Sequence, residues 1–214
     1  MSTPDPNPHL SKSEFQQYGY ALVDWLADYF ENIGDRDVLP DVEPGDIRAM
    51  LPANAPEKAE SMEAIISDLD EVVMPGMAHW QHPGWYAFFP SGVSPVSVLG
   101  EFVSAGLATQ GMMWSTAPSA TEIENTVLDW LVDLLGLPSS WRVDTGPGGG
   151  VLQMSASDST HLSLAIARHH ATLNGLEMDS LVAYGSSQAH SSIEKGARIA
   201  GYKHIRSVPV DDSF

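Results

Sequence analysis

At 214 residues with 43% hydrophobic content, the chain has enough apolar mass for a buried core, as one large domain or a domain with an appendage, so disorder is not the default expectation. It contains no cysteine, which rules out disulfide scaffolds, thiol nucleophiles and cysteine-ligated metal sites. With 28 acidic against 10 basic residues, the formal charge of −18 argues against a nucleic-acid partner, because affinity for that backbone comes from lysine and arginine displacing counterions.

The acidity is read as a solubility feature, and it leaves room for a small phosphorylated ligand, since a helix N-terminus offers N–H groups locally whatever the global charge. No basic segment followed by an apolar core opens the chain, and no later apolar run approaches the ~18 residues of a membrane span. The expectation is a soluble, cytoplasmic protein with no membrane partner.

Ser11 and Glu14 have the spacing of a capping box, and Phe15, Tyr18, Leu22, Trp25, Tyr29 and Ile33 follow at steps of three or four before Gly34. This predicts an amphipathic helix whose aromatic stripe serves a core or an interface rather than a cofactor. The proline-punctuated connector from Val38 to Pro56 has room only for a helical turn around Asp46 to Met50. A second helix is predicted over Ser61 to Val73, stopped by Pro75-Gly76. In "MAHWQHPGWYAFFPSGVSP", five aromatics lie among prolines and glycines, as in an ordered loop that either packs on the surface or lines a pocket.

Val96 to Leu107, with Glu101 its only charge, reads as a helix buried between other elements. Ser119 and Glu122 suggest a second capping box behind Pro118, with Ile123, Val127, Trp130, Leu131, Leu134 and Leu135 as the apolar face and Gly136 as the stop. Beyond Trp141 the pattern alternates: a glycine cluster, a helix from about Ser157 to His170, a buried strand at Leu181 to Tyr184, a helix from Ser191 to Ala200 and a strand near Ile205 to Val208. Alternation of this kind predicts an α/β fold with a mainly parallel sheet.

Several segments have chemical potential. "GPGGGVLQMSASDST" places glycines before a Ser155-Ala156-Ser157-Asp158 turn, either a plain helix cap or an anion-binding corner; it is neither a P-loop nor a dinucleotide fingerprint. Ser187 in "GSSQA" fits a nucleophile elbow poorly, since Ala189 replaces the closing glycine. His79-x-x-His82 and His169-His170 lack a carboxylate in a ligand pattern and read as surface or capping histidines, so no metal is expected. His190 follows the predicted strand and precedes a Ser191/Glu194 capping box; it is either a histidine at a helix start or an imidazole presented to a ligand.

Taken together and in order, "DVEPGDIRAMLPANAP", "MPGMAHWQHPGWYAFFPS", "APSATEIE", "GGGVLQMSASDST" and "SSQAHSSIE" resemble the group II pyridoxal-phosphate decarboxylases, most closely the aromatic-L-amino-acid decarboxylases, from about Ser11 to Phe214. The resemblance implies a fold-type I, aspartate-aminotransferase-like α/β architecture. Residues 1–90 would be a helical dimerisation segment wrapping the partner of a homodimer, with the aromatic stripe as intersubunit core. Residues 91–214 would be the first part of the large cofactor-binding domain. The implied reaction is decarboxylation of an aromatic L-amino acid to its amine and CO2 with pyridoxal 5′-phosphate.

By the same resemblance, Ala156 and Ser157 are the phosphate-cup residues. His190 stacks on the pyridine ring, contacts substrate and assists proton transfer. Ser91 stands for a threonine that contacts substrate and cofactor, while Trp80 and Phe88 form the aromatic pocket. Phe88 is a tyrosine in many relatives and Met112 a phenylalanine in some, so the preferred amino acid is left open. The aromatic-rich loop argues against the acidic substrates of related decarboxylases.

Lysines occur only at 12, 58, 195 and 203, none in the family's context for the cofactor-bearing lysine, and Lys195 reads as a solvated helix residue. The chain is therefore expected to be the N-terminal part of a longer enzyme, inactive alone. The alternatives are a non-catalytic or split fragment that dimerises with or complements a lysine-bearing chain, and an aldehyde synthase acting on the same substrates.

Overall fold

The computed structural model describes residues 9–213, so Phe214, at the end of the family-like stretch, lies outside the described residues. The chain divides into two compact units between Gly106 and Leu107.

The first unit is helical. Helix α1 (Lys12–Asn32) opens on the predicted capping box: Ser11 Oγ accepts the Glu14 N–H at 3.3 Å, and the Glu14 carboxylate accepts the Ser11 N–H at 2.8 Å. These bonds satisfy two otherwise orphaned helix donors and hold the Glu14 carboxyl below its usual range. A 3-10 turn (Ile33–Asp35) buries Ile33 and ends the helix. Helix α2 (Asp46–Met50) is the short turn expected in the connector.

Helix α3 (Met62–Asp68) starts at Ser61, whose Oγ accepts the Ala64 N–H at 3.2 Å. The expected continuation to Val73 is helical but irregular: it widens into a π turn (Leu69–Val73) and closes with a 3-10 turn (Met74–Gly76) at Pro75. The aromatic stripe of α1 lies against this stretch. Tyr18 donates to Glu63 at 2.5 Å and Trp25 Nε1 to Asp70 at 3.1 Å, so the polar tips are satisfied within the chain.

Helix α4 (Pro95–Leu107) forms where predicted, but it is not buried within this chain: Val96 is 80% exposed and Phe102, Val103 and Leu107 are also open. Its apolar character has another use nearby. Val23, Leu26, Ala27 and Phe30 of α1 border a cavity of about 470 Å³ with Val98 and Leu99 of α4.

In the second unit, α5 (Pro118–Leu134) departs from expectation at its start. Pro118 takes the first helical position, making Ala117 the N-cap, so Ser119 lies inside the helix and the predicted capping box does not form. Glu122 instead accepts the Trp114 indole N–H at 2.9 Å. The buried Asp129 of α5 accepts the Val143 N–H at 2.8 Å and the Asp144 N–H at 3.4 Å, pinning the loop that leads to the glycine cluster. Arg142 bridges Asp133 and Asp144, which raises the guanidinium's already high pKa and lowers that of Asp144.

Helix α6 (Ala156–Leu173) packs on α7 (Ser192–Ile199), where Gly196 permits close approach: a Cβ there would meet His161 Cδ2 at 2.7 Å. Strands β1 (Val182–Ser186) and β2 (His204–Val208), joined through α7, pair in parallel from Val182↔His204 to Ser186↔Val208. The parallel α/β pattern is thus present. The strand expected to be buried is only partly so, with Ala183 buried and Tyr184 exposed. Among the described residues, no helix is long and apolar enough to cross a membrane.

Candidate active site

The residues singled out in the sequence fall in both units: Trp80, Phe88 and Ser91 in the first, Ala156, Ser157 and His190 in the second.

In the first unit the loop after Gly76 is anchored at His79, which is 5% exposed. Its N–H donates to Val38 O at 3.0 Å, and its Nδ1 lies 2.9 Å from the Tyr29 hydroxyl. Burial, then the nearby Arg36 and His82, push the His79 pKa down. His79 is therefore an interior anchor, not the surface or capping histidine expected; His82 fits that expectation, accepting the Gly84 N–H at 2.8 Å.

Next in sequence, Trp80 stacks on Trp85 at 4.7 Å between centroids and on Phe88 at 5.7 Å. Phe88 sits at φ +58°, a left-handed conformation that is costly for a bulky residue, and the residue is 79% exposed. Ser91 is held through its backbone: Gln81 donates to Ser91 O at 2.6 Å and accepts the Val93 N–H at 3.2 Å. The structure thus brings Trp80 and Phe88 into one aromatic stack and ties Ser91 to the neighbour of Trp80. Tyr29, His79, Gln81 and Trp85 were not singled out as site residues, although Tyr29 lies on the predicted stripe.

In the second unit, Ser155 caps α6, its Oγ accepting the Asp158 N–H at 3.1 Å. As first-turn donors, the N–H groups of Ala156 and Ser157 have no hydrogen-bond partner among the described residues. The glycines upstream have a packing role: a Cβ on Gly146 would lie 2.6 Å from Ser140 O, and Gly148 is equally crowded by Ser140 and Trp141. Free donors that could receive an anion therefore lie at the helix start, while the glycine run is taken up by packing.

At the β1–α7 junction, Gly185, Ser187, His190, Glu194, Arg206 and Ser207 line a cavity of about 140 Å³. The predicted Ser191/Glu194 capping box is absent. Ser191 has αR backbone and makes no side-chain cap, while Glu194 pairs with Arg198 at 2.7 Å. The cap comes from His190, whose Nδ1 accepts the Ser192 N–H at 3.2 Å and lies 3.0 Å from Ser192 Oγ. His190 Nε2 has no protein partner among the described residues. Among the described residues Ser187 Oγ has no hydrogen bond to a base, so nothing in the geometry supports the nucleophile-elbow reading, and Lys195 is an exposed helix residue as expected. Among the described residues no cluster of three or more His, Asp or Glu is placed to hold a metal ion.

These residues fit a phosphorylated aromatic cofactor. Unpaired N–H donors at the start of an 18-residue helix suit a phosphate, and an exposed imidazole tethered at Nδ1 suits contact with a ring. Asp158 shares that first turn, its carboxylate accepting the Ser155 hydroxyl at 2.9 Å.

The comparisons agree with this chemistry. The model of the pyridoxal-dependent decarboxylase conserved domain matches residues 44–214. Aromatic-L-amino-acid decarboxylase of Bos taurus is 38% identical over 216 residues, covering 96% of this chain and 44% of that protein. The crystal structure of Rhodiola rosea 4-hydroxyphenylacetaldehyde synthase superposes with a TM-score of 0.89 at 39% identity, over 97% of this chain and 45% of that one. That of Catharanthus roseus tryptophan decarboxylase in complex with L-tryptophan gives 0.90 at 38%, over 97% and 45%. The chain spans less than half the length of these relatives, and it belongs to the pyridoxal-dependent decarboxylase family.

Proposed function

We propose that these residues form the N-terminal part of a cytoplasmic, homodimeric enzyme that uses pyridoxal phosphate to decarboxylate an aromatic L-amino acid, and that they are inactive without the remainder. The observation that carries this reading is His190, tethered at Nδ1 and unpartnered at Nε2, beside a cavity at the C-terminal ends of two parallel strands. Support for an aromatic substrate comes from the Trp80–Trp85–Phe88 stack and from the named activities of the Bos taurus and Catharanthus roseus relatives. The open apolar flanks of α1 and α4 support a dimer, with residues 1–90 as the dimerisation segment and 91–214 as the start of the cofactor domain.

In this mechanism the backbone N–H groups of Ala156 and Ser157 and the Ser157 hydroxyl would hold the phosphate. When bound, the cofactor would supply an electron sink. His190 would face the ring and present Nε2, the atom not committed to the helix cap, to the reacting group, assisting proton transfer there. Trp80 and Phe88 receive the aromatic side chain, and Ser91, its backbone fixed by Gln81, offers a hydroxyl to substrate.

In the full-length protein, His190→Ala should lower decarboxylation by about 10²–10⁴-fold, the usual contribution of a positioned proton-transfer group. Near-normal turnover would remove His190 from this role. A second reading, conversion of the same substrates to aldehydes, draws support from the Rhodiola rosea synthase, and product analysis for amine or aldehyde separates the two.

A further inference from the structure

We propose that Ser192 is a positioning residue that fixes the tautomer of His190, so that the neutral imidazole carries its proton on Nε2. The inference deepens the reading of His190 as the imidazole presented to cofactor and substrate, and rests on it for its functional consequence. Ser192 is the first residue of α7 and 6% exposed. Its backbone N–H points at His190 Nδ1 from 3.2 Å, and a backbone N–H can only donate. Nδ1 must therefore offer its lone pair, which places the proton of the neutral ring on Nε2. Given that lone pair, the Ser192 hydroxyl at 3.0 Å also donates, so one residue directs two donors at one ring nitrogen.

The alternative tautomer would set an Nδ1–H against the Ser192 N–H and leave that helix-start donor without an acceptor. Nothing else takes it up: Ser191, the N-cap residue, makes no side-chain cap. Turning the ring over has the same cost, because it carries Nδ1 away from both donors. The cap of α7 and the protonation pattern of the imidazole are thus one device. Its consequence is that Nε2–H, not Nδ1, is presented to the ligand as a hydrogen-bond donor, and that the ring is held in one orientation.

The test uses full-length protein labelled with [15N]histidine, with and without pyridoxal phosphate, with the His190 resonances assigned by their loss in His190→Asn. Expected for the neutral ring are an unprotonated shift for Nδ1 and a protonated one for Nε2. A protonated Nδ1 in the neutral ring overturns the proposal. Ser192→Ala keeps the N–H but loses the hydroxyl; it should lower kcat by about 2- to 10-fold, the size of one neutral hydrogen bond, with KM little changed, and Ser192→Thr should restore it. Ser192→Ala with wild-type kcat also overturns the positioning role. If Ser192→Ala fails to fold, the native spectrum still decides the tautomer. A fully active His190→Asn enzyme alongside the expected spectrum would sink the functional reading while leaving the tautomer assignment standing.

Discussion

The Tyr29 hydroxyl and His79 Nδ1, fifty positions apart in sequence, meet at 2.9 Å and join the end of α1 to the start of the aromatic loop. Tyr29 is itself stacked on Trp25, with centroids 6.0 Å apart, and Arg36 lies over its ring at 5.6 Å. Because His79 immediately precedes Trp80, the bond fixes the base of the loop proposed to receive substrate. Tyr29→Phe removes the hydroxyl and leaves a buried ring nitrogen without its partner. It should cost about 1–3 kcal/mol in denaturant unfolding of the full-length protein. A loss near zero would mean that water replaces the hydroxyl.

His79 also predicts a pH dependence. Burial disfavours its charged form, as do Arg36 and His82, so its pKa in the folded chain lies below the ordinary 6.5. The unfolded chain then binds a proton more readily than the folded one. This penalty is absent well above 6.5 and grows as the pH falls through that value toward the depressed folded pKa. Unfolding midpoints should drop on acidification through this window, and His79→Asn should give a shallower slope there. Parallel slopes for the two proteins would assign the acid sensitivity to other groups.

The three expected capping boxes show how much of this was legible in sequence. Ser11 forms its box because nothing competes at the helix start, and α1 begins where the spacing says. At Ser119 the same spacing fails because Pro118 is better placed at the first helical position, where its missing N–H costs nothing. At Ser191 it fails because His190 supplies the acceptor, a contact that depends on ring orientation and has no spacing rule. The helices and the parallel strand pair were readable from periodicity, as was the place of His190 between strand and helix. The His79–Tyr29 bond was not, since it joins segments fifty positions apart, and α4 looked buried because composition does not say what covers an apolar face.

The glycine run after Trp141 makes an opposite prediction from a phosphate loop. At Gly146 a Cβ would lie 2.6 Å from Ser140 O, a backbone atom that cannot step aside. Gly146→Ala should therefore destabilise the protein by about 1–3 kcal/mol, the range for overpacking. Gly19, in the middle of α1 with no atom within 4 Å of an added Cβ, is the control. Gly19→Ala should stabilise by up to ~1 kcal/mol. If Gly146→Ala instead left stability intact and weakened pyridoxal phosphate binding, the run would belong to the cofactor site after all.

The aromatic stack carries the prediction about substrate. Trp80 is the ring shared by Trp85 and Phe88, so its loss frees both neighbours, and it leaves Phe88 in a left-handed backbone with no stacking partner to offset the strain. In the full-length enzyme, Trp80→Ala should raise KM for an aromatic amino acid by about 10- to 100-fold, in line with roughly 1–3 kcal/mol for an ill-filled apolar pocket. Trp80→Phe, which retains a ring, should recover most of it. Phe88→Tyr adds a ring hydroxyl and should shift preference between hydroxylated and plain aromatic substrates, with the total decarboxylation rate changing less than the ratio. The comparison that matters is a small aliphatic amino acid assayed beside the aromatic one. If Trp80→Ala weakens both equally, the stack only shapes the loop, and recognition of the aromatic side chain lies elsewhere in the enzyme.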